Sequence, residues 1–425
     1  MGDTAGGPLV NIARVYTKTE RIRVTGHLPG LDGVRGVAIL LVMALHFVGD
    51  ATARTFGQRL AVKMASYGLL GVDLFFVLSG FLITGLLLDS KSGGHHFRNF
   101  YARRTLRIFP LYYLVLGFLF IVLPWLTPLT PALAEARRHQ VWLWTHTSNF
   151  YIAAKGSFAA LTYVSHFWSL AIEEHFYLVW PLVVFSVRRE VLERICAVVL
   201  VAGLGLRISL VLAGVSELSV SVLTPCRIDT LCVGALLAAL CRRQDGAEAL
   251  VHRSWSAMLA LGGAIFAVSA WCASVKIGLP VLHEMRNSLY ALFFGALVLM
   301  SLQLRPNALA RAFQSRLLRF FGKYSYGLYV YHCMLAYYLV ERRAEDRFDA
   351  LLGNHSLAIA AKAAFSVAVS VAVAVLSYEL FEKRFLALKK FFEAAVPGRA
   401  VPPAVTVGAP STPPPVAGVT RGVTR

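Results

Sequence analysis

Ten apolar runs, each about as long as a bilayer is thick, constrain this chain more than any other feature. They fall near residues 34–49, 66–88, 108–126, 169–187, 191–213, 226–241, 255–275, 287–304, 321–340 and 357–381. A helix of roughly 20 apolar residues crosses the hydrocarbon core. The pattern therefore predicts an all-α, polytopic membrane protein with about ten transmembrane helices. Composition agrees: 57% of the 425 residues are hydrophobic and only 15% are charged, whereas soluble domains carry about 25% charged residues. Residues 31–390 are expected to form one integral membrane domain. A cytoplasmic segment, 1–30, precedes it, and a tail over 391–425, rich in Pro, Val and Thr, reads as disordered. The first apolar run follows about thirty polar residues, so no cleavable signal peptide is expected and the first span serves as insertion signal.

The formal net charge is +19, from 42 lysines and arginines against 23 acids. In a soluble protein that excess would point to nucleic acid, but no basic face or binding motif supports such a partner. The basic residues sit instead in short stretches between apolar runs. With the N-terminus placed in the cytoplasm, 27 of them fall inside and 11 outside, while Arg35, Arg207, Arg227 and Lys362 lie within spans. This bias predicts that both ends are cytoplasmic, in a multi-pass protein of the inner membrane. Six scattered cysteines lack the Cys/His spacing of a metal site, and no metal is expected. No internal repeat and no matched pair of interrupted spans is visible, which weighs against an inverted-repeat transporter. The longest connection, about 127–168, holds Val141-Trp-Leu-Trp144. An interfacial aromatic belt is the simpler reading of that stretch, and a lid over an outward-opening site is the functional one.

Ionisable groups inside a bilayer cost roughly 2.5–3.5 kcal/mol each on insertion scales, which makes them functional candidates. In the first span Arg35 and His46 are eleven residues apart. At 100° per residue they share a helix face, separated by about 16 Å along the axis. A snorkelling anchor would explain Arg35, and an interhelical hydrogen bond would explain His46. As a base, however, a histidine has the intrinsic pKa that proton transfer near neutrality needs. In the second span Asp73, Gly80 and Thr84 form a small polar stripe. Packing would account for Ser79 and Gly80, but Asp73 needs a histidine or arginine partner on a neighbouring span.

Arg103, Arg104 and Arg107 lead into the third span, with Arg104 and Arg107 at i, i+3. Positive-inside charge is the plain explanation, while forked guanidinium groups also suit phosphate. Further along, SHFWSLAIEEHFYLVWP places Glu173 and Glu174 near His166, Trp168, His175 and Tyr177. Adjacent acids on a helix point in different directions, so one can face a cavity and the other a loop; an interfacial cap is the simpler alternative. Arg227 and Asp229 fall at the mouth of the sixth span, and Ser325, Tyr326, Tyr331 and His332 in the ninth. On this topology the acids and histidines fall in the outer half, and Arg35, Arg104 and Arg107 toward the cytoplasm.

Seven strings, in order from about Leu31 to Phe385, resemble the acyltransferase-3 family of integral membrane O-acyltransferases, which includes polysaccharide and O-antigen acetylases and macrolide acyltransferases. They are LDGVRGVAILLVMALH with its arginine and histidine, GVDLFFVLSGFLIT, Arg104-Thr-Leu-Arg107, FWSLAIEEHFYLVWP, RIDTLCVGALLA, YSYGLYVYH and SYELFEKRF. The resemblance implies an acyl-CoA donor, with acetyl-CoA favoured, used as a co-substrate beside no permanently bound cofactor. It implies a hydroxyl acceptor on a glycan, glycolipid or small molecule. His46 would be the catalytic base or acyl acceptor, supported by Asp73 and Glu173. Arg35, Arg104 and Arg107 would hold the CoA phosphates. Trp168, Glu174, Arg227, Asp229, Tyr331 and His332 form the expected acceptor-binding set. The family's last motif usually ends Glu-Lys-Pro, and Arg384 stands here in place of the proline. Some relatives carry an extracytoplasmic esterase-like domain after the membrane part, and the short tail predicts a stand-alone membrane module.

A glycan acceptor is the leading expectation, because the acid-rich half faces outward; a macrolide or other small metabolite is the alternative. From a different class, a proton-coupled secondary transporter would use the same buried acids and histidines as a relay.

Overall fold

The structure is a computed structural model that describes residues 28–91, 94–244, 246–275, 280–303 and 307–392. The expected N-terminal segment lies almost wholly outside the described residues, as does all but the start of the expected tail. Every described element is helical. Ten long helices carry the ten expected apolar runs: α1 (Pro29–Ala44), α2 (Leu70–Ser90), α3 (His96–Gly117), α4 (Phe167–Ser186), α5 (Arg189–Leu212), α6 (Thr224–Leu240), α7 (Gly246–Val275), α8 (Pro280–Ser301), α9 (Arg316–Glu341) and α10 (His355–Ser377). Among the described residues, six stretches are long and apolar enough to cross a membrane: Pro29–Gly49, Phe56–Ser90, His96–Leu126, Arg189–Leu212, Gly246–Ser274 and His355–Phe392. The remaining four long helices, α4, α6, α8 and α9, carry acids and bases, several of them buried.

Burial sorts the helices into an inner and an outer set. The most apolar parts of α1 and α2 are half or more buried, whereas those of α5 and α7 are almost entirely on the outside. A helix apolar all round with little of it covered by protein is what lipid contact requires. At the centre, α1 packs against α9 and α2, and α2 packs in turn against α6. These crossings are close because glycine lies at the contact. A Cβ on Gly80 would strike the backbone of Leu231, and one on Gly234 would strike the Val77 carbonyl, so α2 and α6 touch main chain to main chain. Gly36 on α1 and Gly322 on α9 do the same for that pair. Small residues at interfaces are the usual route to tight helix packing where lipid removes the hydrophobic drive.

Two local features shape the surroundings of the candidate residues. The first span runs on from α1 into a π-helical turn, Leu45–Gly49, which contains His46; such turns recur at functional sites. The stretch expected to lead into the third span is itself helical from His96, which puts Arg103, Arg104 and Arg107 on α3.

The connection after α3 is folded, not extended. It forms the short helices Pro131–Arg138, Val141–Trp144 and Ser148–Lys155 and a 3-10 turn, Ala159–Val164. Leu143 is fully buried. Tyr112 donates to the Leu143 carbonyl at 2.8 Å and Tyr113 to the Trp144 carbonyl at 3.3 Å, and Trp144 stacks on the Tyr113 ring. Trp144 is thus held against α3, while Trp142 stacks on Tyr151 within the connection.

Candidate active site

A cavity opens between α1, α2, α3, α4 and α9. Arg35, Arg104, Arg107 and Glu173 line it, with Ser79, Phe75 and Phe76 from α2, Ser169 from α4, and Tyr326 and Tyr329 from α9. Four of the sequence-derived candidates, from three helices, therefore meet in one place. The Arg104 guanidinium lies 5.4 Å from the Tyr177 ring centroid, a cation–π distance. The Tyr177 and Ser79 hydroxyls are bonded at 2.7 Å, and both lie beside Glu173. The lining mixes charged and polar groups with the apolar side chains Val72, Phe75, Phe76 and Leu170.

Toward the N-terminal ends of α1 and α9, the cavity shares Arg35, Arg107 and Tyr326 with a second, wider hollow. That vestibule adds Arg316, Arg319 and Lys323 from α9, together with Asp32 and Glu382. Arg35 reaches Asp32 at 3.4 Å. The 3-10 turn Leu388–Phe392 packs on α3 and brings Lys389 into the repulsive field of Arg103, Arg104, Arg107 and Arg35. Converging like charges are costly, and Arg316 and Arg319 also sit in the first turn of α9, where the helix dipole disfavours cations. A multiply charged anion relieves both penalties, and helix N-terminal N–H groups add donors. In the sequence, Arg316, Arg319 and Lys323 stand out only as topology signals. Their spacing of three and four residues, which stacks them on one helix face, is the clue to a second role.

The histidines lie at a different level. His46 is eleven residues beyond Arg35, about 16 Å along the helix axis, and is not among the residues lining the cavity. Its Nδ1 is 2.9 Å from the Val42 carbonyl. A carbonyl only accepts, so Nδ1 carries the proton and Nε2 keeps the basic lone pair. The His46 ring meets His332 edge-on, with centroids 4.9 Å apart, and His332 in turn meets His166 at 5.3 Å. Tyr329 links this cluster to the cavity, since it lines the cavity wall, bonds Ser169 at 2.5 Å and donates to the His166 carbonyl at 3.0 Å. Among the described residues, no group of three or more His, Cys, Asp or Glu is placed to hold a metal ion.

The other candidates are distributed more widely. Asp73 has the arginine partner its burial called for: it pairs with Arg227 on α6, whose guanidinium lies over the Phe76 ring. Asp229 binds Arg207 at 2.5 Å, and Arg207 also reaches Glu284 at 2.9 Å, which ties α5, α6 and α8 together. Trp168 is buried against Phe76. Tyr331 donates to Ser377 of α10 at 3.0 Å. Glu173 and Glu174 do diverge: Glu173 faces the cavity, while Glu174 acts on Tyr112 and Tyr113 of α3. The polar stripe on α2 has three separate roles, with Asp73 in its ion pair, Gly80 in packing and Thr84 accepting from the Trp180 indole at 2.8 Å.

Known proteins resemble this chain over the region that holds these residues. The chain is 28% identical over 320 residues to the peptidoglycan O-acetyltransferase OatA of Listeria monocytogenes, covering 72% of this chain and 49% of that protein. It is 28% identical over 334 residues to the O-acetyltransferase OatA of Staphylococcus aureus, covering 75% and 52% respectively. A putative peptidoglycan O-acetyltransferase of Bacillus subtilis, YrhL, is 33% identical over 180 residues, which is 40% of this chain and 25% of that protein. The chain thus spans about half the length of the first two relatives. No solved structure matches. A family model described as an acyltransferase domain matches residues 28–379, a range that takes in the cavity, most of the basic vestibule and the histidine cluster. The chain is a multi-pass membrane protein that belongs to the acyltransferase-3 family.

Proposed function

We propose that this protein is a membrane O-acetyltransferase that moves an acetyl group from acetyl-CoA to a hydroxyl of an envelope glycan. In this reading all ten long helices cross the inner membrane, with both chain ends in the cytoplasm, an orientation supported by the excess of basic residues assigned to that side. The vestibule then faces the cytoplasm, where acetyl-CoA is found, and the histidine cluster lies deeper in the membrane.

The observation that carries the reading is that the basic vestibule and the cavity adjoin, with Arg35, Arg107 and Tyr326 lining both. Coenzyme A carries a diphosphate and a 3′-phosphate at one end and a neutral, flexible arm ending in the thioester at the other. Arg35, Arg104, Arg107, Arg316, Arg319 and Lys323 supply charge-assisted donors for the phosphates. The apolar part of the cavity, Val72, Phe75, Phe76 and Leu170, accommodates the arm. The thioester is thereby directed toward Ser169 and Tyr329, with His46 and His332 beyond them. There His46 Nε2, whose lone pair is left free by the Nδ1–Val42 bond, acts as base or acyl acceptor.

The glycan assignment follows from the peptidoglycan O-acetyltransferases among the relatives. Membranes containing the protein, incubated with acetyl-labelled acetyl-CoA and cell-wall glycan, are expected to label the glycan, and His46→Ala to abolish labelling. Solute flux without consumption of acetyl-CoA would contradict the proposal and indicate a transporter. Labelling of a small hydroxylated metabolite in place of glycan would overturn the acceptor assignment alone.

A further inference from the structure

Three histidines stand together where the reaction needs one, and the arrangement of their ring nitrogens separates their roles. His332 is fully buried. Its Nδ1 lies 2.8 Å from the Tyr329 carbonyl and 3.0 Å from the Leu328 carbonyl. Both partners can only accept, so Nδ1 carries the proton and Nε2 holds a lone pair. That Nε2 has no hydrogen-bond partner among the described residues. Burying an acceptor without a donor costs roughly 1–3 kcal/mol, and α9 could remove the cost with a phenylalanine or leucine. His166 is held through Nε2 on the Val330 carbonyl at 3.2 Å and leaves its Nδ1 unpartnered among the described residues, but its ring touches His332 and lies farther from His46 in the row. His332 is therefore the middle ring, carrying one unprotonated nitrogen, with its centroid 4.9 Å from that of His46.

We propose that His332 is a second base, which acts after His46 has been acetylated. The inference rests on the acetyl-CoA reading above. His46 has only one free nitrogen, since Nδ1 is committed to Val42. Once Nε2 carries the acetyl group, it cannot also take a proton from the incoming hydroxyl, and another base is needed.

In the first step the His46 Nε2 lone pair attacks the thioester carbonyl. A C–N bond forms, the C–S bond breaks, and coenzyme A leaves as thiolate. The acetyl-imidazolium that results keeps its Nδ1 proton on Val42. In the second step the acceptor oxygen attacks the acetyl carbon while His332 Nε2 removes the hydroxyl proton. The new C–O bond forms, the C–N bond breaks, and its electron pair returns to His46 Nε2. His332 then gives its proton to solvent and the thiolate takes one from solvent, which closes the balance. A two-step transfer also lets donor and acceptor approach from opposite sides of the membrane without meeting.

Rapid-quench kinetics with acetyl-CoA on the purified full chain in detergent test the assignment. In the unaltered protein, without acceptor, a burst of one equivalent of free coenzyme A is expected, with an acetyl mass increment on the peptide containing His46. His332→Gln should keep the burst and retain the acetyl group, while transfer to glycan falls about 100-fold or more, as expected for loss of a general base. His46→Gln should show neither burst nor increment. His332→Asn provides a second variant, and thermal unfolding identifies which of the two is folded. Loss of burst and transfer in parallel in a folded His332 variant would overturn the second-base role, and so would retention of both. Acetyl transfer by the unaltered protein with no acetyl on His46 would overturn this inference and leave the proposed function standing. Absence of any acetyl transfer would refute the proposed function itself.

Discussion

The carboxylate of Asp73 on α2 is paired with the guanidinium of Arg227 on α6, and both side chains are buried where those helices cross. A buried pair of this kind contributes little relative to apolar packing, but removing one partner leaves a bare charge, at a cost of about 3–5 kcal/mol. Asp73→Leu and Arg227→Met should each lower the unfolding temperature in detergent sharply. The double substitution should recover most of the loss. Additive destabilisation in the double variant would show that the two side chains do not act as a pair.

The vestibule arginines should act on the donor and not on the chemistry. Single substitutions Arg316→Gln, Arg319→Gln and Lys323→Gln each remove one charge from the basic wall of the vestibule. Each is expected to raise the KM for acetyl-CoA about three- to tenfold, in line with a partly solvated charge-assisted hydrogen bond, with kcat nearly unchanged. Raising the salt concentration should mimic the effect. A fall in kcat at constant KM would place these residues elsewhere in the mechanism.

Backbone contact at Gly80 and Gly234 leaves no room for a side chain. Gly80→Val and Gly234→Val should each force α2 and α6 apart, at a cost of about 1–3 kcal/mol or more, and reduce the yield of folded protein in membranes. Gly205, whose Cβ position is open, is the control: Gly205→Val should be tolerated.

Tyr112 and Tyr113 fasten the long connection to α3 through the Leu143 and Trp144 carbonyls. Replacing both by phenylalanine removes two hydrogen bonds of about 1 kcal/mol each. Limited proteolysis should then cut between residues 127 and 168 sooner than in the unaltered protein. Unchanged cleavage would mean that apolar packing around Leu143 alone holds the connection.

Much of the architecture is legible in the sequence because lipid imposes length and apolarity on every span. The runs at 191–213 and 226–241 lie on helices with nearly the expected limits, Arg189–Leu212 and Thr224–Leu240. The apolar pattern places the start of α3 too late, since Arg98, Arg103, Arg104 and Arg107 interrupt that pattern without interrupting the helix. The need of Asp73 for a basic partner can be inferred from burial alone, whereas the identity of that partner depends on the α2–α6 crossing. Arg104 and Glu173 lie on separate helices, and their meeting at one cavity depends on tertiary packing. The basic face of Arg316, Arg319 and Lys323 is concealed in the sequence, because a topology signal already accounts for the same charges. The grouping of His166 and His332 beside His46 arises from side-chain placement across the end of the first span, the turn before α4 and the middle of α9, which no local pattern records.

Transfer across the membrane by way of His46 can be measured in sealed vesicles of known orientation. Acetyl-labelled acetyl-CoA would be supplied only on the cytoplasmic face and glycan acceptor only on the opposite face. Labelled glycan is expected with the unaltered protein and none with His46→Ala. Equal labelling by His46→Ala, or labelling only when donor and acceptor share one face, would contradict the proposed route.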